Sequence, residues 1–179
     1  MFIPMIFFFI LFYNVGVSAN ESTLLYVYFS VPFEEEVNYT ITSKFGTRYD
    51  PFNKEETKFH SGIDIAAPKN TKILASADGI VHETGYNSSL GNYVYIKHNF
   101  DNVILFSIYG HLLDDSICVE EGEQVSGKDE IAIIGSTGRS TGTHLHFTIS
   151  KDKISFNQKD LIDPITIFQK EVQESNKNE

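Results

Sequence analysis

The chain has no tryptophan, a single cysteine, two methionines and five prolines in 179 residues. One thiol, Cys118, excludes an intrachain disulfide and a multi-thiolate zinc site. Its apolar neighbours in SICVEEG predict a buried structural thiol. Basic residues are also scarce: 14 Lys and Arg stand against 24 Asp and Glu, a net charge of -10. No Lys/Arg cluster is present, which argues against nucleic acid, whose phosphates need cations. The same scarcity removes any polybasic membrane-surface signal. Sustained helical periodicity is missing until the end, where DLIDPITIFQKEVQESN predicts one short C-terminal helix starting near Pro164, since proline suits a first helical turn. No internal repeat and no dividing linker are visible. With 41% apolar residues, the chain is long enough for one domain with a real core.

Long apolar runs are absent except at the start. MFIPMIFFFILFYNVGVSA is almost wholly apolar to Val17, and Val17-Ser18-Ala19 offers small residues for cleavage. This is a secretory signal pattern, with cleavage after Ala19, although no Lys or Arg precedes the apolar core. The rival is an uncleaved anchor, for which the run is short. The organisation expected is a signal peptide over 1–19, an extension over 20–43, the main domain over 44–169 and a polar tail over 170–179. The destination is outside the cytoplasm: periplasm, cell wall or medium.

What the chain does have is short β-rich runs between turns. TKILASA, GIVHETGY, NYVYIKHNF, VILFSIYGHL, EIAIIGS and HLHFTIS are each bounded by Gly, Asn, Asp or Ser. NYVYIKH alternates, placing Tyr93, Tyr95 and Lys97 on one face and Val94, Ile96 and His98 on the other. The class expected is mainly β. LLYVYFSVPFEEEVNYTITS is rich in β-formers but broken by Pro32 and by the acidic run 34–36. KFGTRYDPFNKEETKFHSG is turn-rich and reads as a long ordered loop.

Of six histidines, four (His60, His111, His144 and His146) lie at positions that suggest chemistry. His60 begins HSGID, four positions before Asp64, with Gly62 between to allow a tight turn. Imidazole and carboxylate both suit Zn²⁺, but a bare H-x-x-x-D is common. His144 and His146 flank Leu145 in GTHLHFTIS. In a strand they share a face, while Leu145 and Phe147 point the other way. An edge strand with two exposed histidines would look the same. His111 ends a strand in IYGHLL, where a side chain can face a cleft or simply face solvent. His82 reads as a polar strand residue and His98 as a packed, hydrogen-bonded one. Taken together, two His and one Asp give three ligands and leave a fourth tetrahedral position for water, with further histidines to handle protons.

In this order HSGID, YGHL and STGTHLHF resemble the M23 (lysostaphin/LytM-type) zinc metallopeptidases. FGTRYDPF before the first motif, AAPKNTKILASADGIV after it and GEQVSGKDEIAIIGSTGRSTG further on agree, so the resemblance runs from about Phe45 to Ile149. It implies an antiparallel β domain with an open groove. His60, Asp64 and His146 would bind Zn²⁺, and His111 and His144 would be catalytic. The substrates implied are peptide bonds of bacterial peptidoglycan. It also implies an alternative: relatives that lost metal ligands act as non-catalytic, hydrolase-activating proteins on the same fold.

Overall fold

The computed structural model describes residues 29–101 and 103–168. The whole apolar leader, the cleavage site and the polar tail lie outside the described residues. Among those described, no helix is long and apolar enough to cross a membrane. The described residues form twelve strands in chain order: β1 (Thr40–Ser43), β2 (Gly46–Tyr49), β3 (Thr57–His60), β4 (Ile63–Ala66), β5 (Lys72–Leu74), β6 (Gly79–Asn87), β7 (Gly91–Phe100), β8 (Val103–Leu112), β9 (Gln124–Val125), β10 (Glu130–Ile133), β11 (Leu145–Lys151) and β12 (Leu161–Ile162). The main sheet runs β1-β4-β11-β8-β7-β6-β9, with β12 also paired to β11. Every pair is antiparallel. β5 pairs with β10 and β2 with β3 in two small ribbons.

All six strand runs expected from alternation and turn spacing are strands. β7 separates its residues as the pattern requires: Val94 and Ile96 join the main core, while Tyr93 and Tyr95 pack in a second cluster on the opposite face. β8 is apolar almost throughout because both its faces are covered, and from Leu105 to Leu112 every residue is buried. β11 buries Leu145, Phe147 and Ile149 in the core, with Tyr109 and Phe168 against Phe147. Full burial of one such side chain stabilises the fold by roughly 1.5–3 kcal/mol. The stretch 29–43 also contributes: Phe29 and Phe33 are core residues and β1 closes one edge of the sheet.

Three expectations change. The stretch 44–62 is not one long loop but the β2–β3 hairpin, Gly46 to His60 in register, with Asp50, Pro51 and Asn53 at its tip. Four-residue polar strands around strong turn signals hide a hairpin from period counting. The C-terminal helix is, within the described residues, a three-residue 3-10 turn, Pro164–Thr166, whose first free amide (Ile165) is capped by Asp163; the rest of the expected span lies outside them. Cys118 is exposed, not buried. Its neighbour Val119 takes the buried position, and the thiol donates to the Glu130 carbonyl at 3.3 Å. Apolar flanks misled there because the segment is irregular and has no fixed alternation.

Candidate metal centre and its groove

Strand register brings the motif residues together. Asp64 on β4 lies directly opposite His146 on β11, and His146 lies opposite Gly110 on β8. Directly opposed residues project to the same side of a sheet, so Asp64 and His146 must meet. His60 ends β3, and the two-residue link Ser61-Gly62 returns the chain to β4. Gly62 is needed for space rather than for an unusual dihedral. A Cβ there would sit 2.2 Å from the Phe147 carbonyl and 2.4 Å from Thr148 Oγ1, so only glycine lets β11 approach this closely.

His111 needs a different device. One residue beyond Gly110, regular alternation would turn it away from His146. Its φ is +61°, and the β7–β8 register slips there, Val94 pairing with Tyr109 but Asn92 with Leu112. This bulge carries one extra residue on β8 and re-aims the side chain, as bulges beside functional sites commonly do. His111 then lies 4.6 Å from His144 and 6.0 Å from His146 between ring centres, while Leu112 returns to the core.

Three atoms converge: His60 Nε2, His146 Nδ1 and Asp64 Oδ1, separated by 3.0, 3.1 and 2.9 Å. A backbone carbonyl fixes the tautomer of His60, and a hydroxyl is placed to support the matching one of His146. His60 Nδ1 donates to the Lys44 carbonyl at 2.9 Å, so Nε2 offers its lone pair. His146 Nε2 lies 3.0 Å from Thr148 Oγ1, which accepts its proton in the tautomer that leaves the Nδ1 lone pair free. Burial lowers the affinity of His146 for a proton and favours the neutral ring. Burial pushes the Asp64 carboxyl up, but when no other cation is there a proton carried on the facing nitrogens of His146 and His60 outweighs burial and holds the group well below the usual carboxylate range. Its second oxygen accepts from Arg48 Nη2 at 3.1 Å. Two lone pairs and a carboxylate aimed at one point repel each other unless a cation joins them. His60, Asp64 and His146 therefore form a buried set that could hold a metal ion. The edges of 2.9–3.1 Å fall near the ligand separation of a tetrahedral zinc ion, roughly 3.3 Å.

His111 and His144 stand beside this set with one nitrogen each turned inward. His111 Nδ1 donates to the Thr137 carbonyl at 2.8 Å. His144 Nδ1 donates to the Gly142 carbonyl at 2.7 Å, and its Nε2 lies 3.7 Å from Asp64 Oδ1. Burial, with the neighbouring His144 ring, pulls the His111 pKa down to about 4. Both rings line a groove of about 500 Å³. The structure thus gathers all five motif residues. His82 is exposed and apart, and His98 is buried in a hydrogen-bonded pocket elsewhere, as expected.

Sequence reasoning missed Arg48 and Thr148. Thr148 was accessible to it: residues 144, 146 and 148 share a face by period two, and a hydroxyl one step beyond a ligand histidine is placed to orient it. Arg48 carried no such signal, because its contact depends on the β2–β3 hairpin.

The sequence profile of peptidase family M23 matches residues 58–163, more than half of the chain. The chain belongs to that family, and its fold is the lysostaphin-like one. It is 36% identical over 136 residues to an uncharacterized metalloprotease of Buchnera aphidicola, covering 75% of this chain and 34% of that protein. It is 41% identical over 114 residues to the DD-carboxypeptidase/endopeptidase Mpg of Neisseria meningitidis, covering 63% and 25%. The catalytic domain of the antimicrobial peptidase lysostaphin from Staphylococcus simulans superposes with a TM-score of 0.62 at 28% identity, covering 71% of this chain and 90% of that one. The chain spans about a third or less of the length of these curated relatives.

Proposed function

We propose that this chain is an exported, zinc-dependent endopeptidase that hydrolyses peptide bonds of bacterial peptidoglycan. The observation that carries the proposal is the three-atom set of His60, Asp64 and His146 with two further imidazoles facing it. Zinc held there supplies a Lewis acid that polarises water and carbonyl oxygen. The chain's own residues supply the rest. His144, anchored through Nδ1, presents Nε2 to take a proton from the attacking water. His111, anchored through Nδ1 on Thr137, presents a free Nε2 beside the reacting atoms, and stabilises the oxygen on which negative charge develops only once that nitrogen has taken a proton. The reverse division of labour fits the same geometry. One of the pair then returns a proton to the leaving amine. Arg48 and Thr148 hold Asp64 and His146 in orientation.

The alternative, a non-catalytic activator of other wall hydrolases, predicts a broken ligand set; here every ligand is present, which favours the enzyme. The names of the Neisseria and Staphylococcus relatives favour hydrolysis as well. The test is incubation of zinc-loaded protein with peptidoglycan of defined cross-link type, followed by mass spectrometry of the fragments, with a chelator control. New amine termini that vanish with the chelator are expected. Intact peptidoglycan after treatment with fully metallated protein would leave the activator.

A further inference from the structure

His111 holds a left-handed backbone, φ +61°, at the extra residue of the β8 bulge. Such a conformation persists only where the surroundings over-determine it. One residue, Thr137, meets the bulge from three directions. Its carbonyl accepts from His111 Nδ1 at 2.8 Å. Its hydroxyl accepts from the Asn92 amide at 3.0 Å and donates to the Leu112 carbonyl at 2.7 Å. Asn92 and Leu112 are the pair at which the β7–β8 register resumes beyond the slip. The hydroxyl therefore joins both strands where the bulge closes, while the carbonyl of the same residue holds the ring. The Asn92 side-chain amide adds a longer contact to the Leu112 carbonyl, at 3.3 Å.

Thr137 can serve as a fixed point because its own loop is tied down. The Arg139 amide donates to the Ser89 carbonyl at 3.1 Å. Arg139 Nη2 reaches both oxygens of the buried Asp50, at the tip of the β2–β3 hairpin, at 3.1 Å. Gly91, at φ +65°, lets the loop lie directly against β7, since a Cβ there would sit 2.2 Å from Thr137 Oγ1. A residue that only filled this space would need no hydroxyl; here both its proton and a lone pair are used. Thr137 is not among the residues that line the groove, so it acts through His111 and not on a substrate.

We propose that the Thr137 hydroxyl is the positioning group that holds the bulge closed and so keeps His111 aimed into the groove. Without it the Asn92 amide and the Leu112 carbonyl lose their shared partner. β8 is then free to relax towards regular alternation, which turns His111 away from His146. The inference rests on the peptidase reading for the reaction that His111 serves, while the geometry it concerns stands apart from that reading.

The test uses the full zinc-loaded chain and Thr137→Val, which keeps the shape and removes the hydroxyl. Zinc content and KM should match wild type while kcat falls by about 10- to 100-fold, the cost of misplacing a catalytic group by about an ångström. Thr137→Ser, which restores the hydroxyl, should recover most of that loss. Ser107→Ala, weakened away from the groove, should keep its kcat, which separates aim from general stability. The ring itself is read by proton–nitrogen NMR. The His111 Nδ1 proton, hydrogen-bonded to the Thr137 carbonyl, should be protected from exchange in wild type and Thr137→Ser and lost in Thr137→Val. Thr137→Ala carries the same test if valine prevents folding. An unchanged kcat, or an unchanged Nδ1 proton signal, in the variant without the hydroxyl overturns the positioning role. If wild type cuts no peptide, the hydrolase reading fails and the ring signal decides alone. A signal lost without the hydroxyl and kept in Thr137→Ser supports the role; the same signal in all of them rejects it.

Discussion

Two histidines on the β7–β8 pair share an anchor and differ in outcome. His98 Nδ1 is tied to the Asp78 carbonyl at 2.7 Å, and His111 Nδ1 to the Thr137 carbonyl at 2.8 Å. Both pKa values are pulled down to about 4, burial being the largest cause in each. The difference lies in the second nitrogen. His98 Nε2 meets Ser107 Oγ at 2.7 Å, in a closed chain that continues to Tyr109 and the Ser76 amide. His111 Nε2 meets no protein group among the described residues and faces the groove. A depressed histidine pKa therefore does not mark a functional site; an imidazole with one nitrogen fixed and the other left free does.

The comparison breaks most sharply through the ligand that both groove histidines stand beside. Asp64→Ala should strip the metal and reduce hydrolysis to background, read by zinc content and amine release on one preparation. Retained zinc would sink the ligand assignment. The two histidines should then separate cleanly. His111→Ala should keep zinc and fold yet lose about 10²- to 10⁴-fold in kcat/KM, the range of acid–base or oxyanion assistance. His98→Ala should behave oppositely. Folded protein should cleave at the wild-type rate, but the urea midpoint should fall, because the Ser107 hydroxyl and Asp78 carbonyl lose their partner at a cost of about 1–3 kcal/mol. An inactive but stable His98→Ala protein would dissolve the distinction.

pH probes the closed site without removing it. The His98 imidazole is near 4 when folded and near 6.5 in the unfolded chain, so the unfolded chain binds more protons between these values. Stability linked to this group is therefore complete above about pH 6.5 and is lost as pH falls towards 4. The full difference is about 3 kcal/mol at 1.36 kcal/mol per pH unit. Urea unfolding of wild type and His98→Gln at several pH values isolates it, since protonation of the metal ligands affects both proteins alike. A stability gap that stays constant from pH 7.5 to 4 would count against the assignment.

Legibility followed the physics of each element. Asp64 and His146 were readable because strand alternation fixes the side on which a residue projects, and two motifs on two strands need only register to meet. His111 was readable as a residue type beside glycine, but not as a direction; its aim depends on a bulge and a left-handed φ that no pattern in YGHL announces. The β2–β3 hairpin was read as a loop, and with it went Arg48, Asp50 and the tether to Arg139. These contacts join positions from 16 to 89 residues apart, and only tertiary structure reports them.

The smallest effect is the most diagnostic, because it compares two hydroxyl–imidazole pairs of nearly equal length. Ser107 meets His98 at 2.7 Å and Thr148 meets His146 at 3.0 Å, both buried. If imidazole anchoring served stability alone, removing either hydroxyl would weaken folding and nothing else. In the groove, however, the Thr148 hydroxyl is placed to accept the His146 proton on Nε2, the tautomer that aims the Nδ1 lone pair at the other ligands. Thr148→Val should weaken zinc binding by about 10- to 100-fold, the usual cost of losing a group that orients a ligand. Ser107→Ala should leave zinc affinity unchanged while lowering the urea midpoint. Competition with a chromogenic chelator measures the first and equilibrium unfolding the second. If Thr148→Val binds zinc as wild type does, the hydroxyl is only filling space beneath Gly62, and the tautomer of His146 is set by something else.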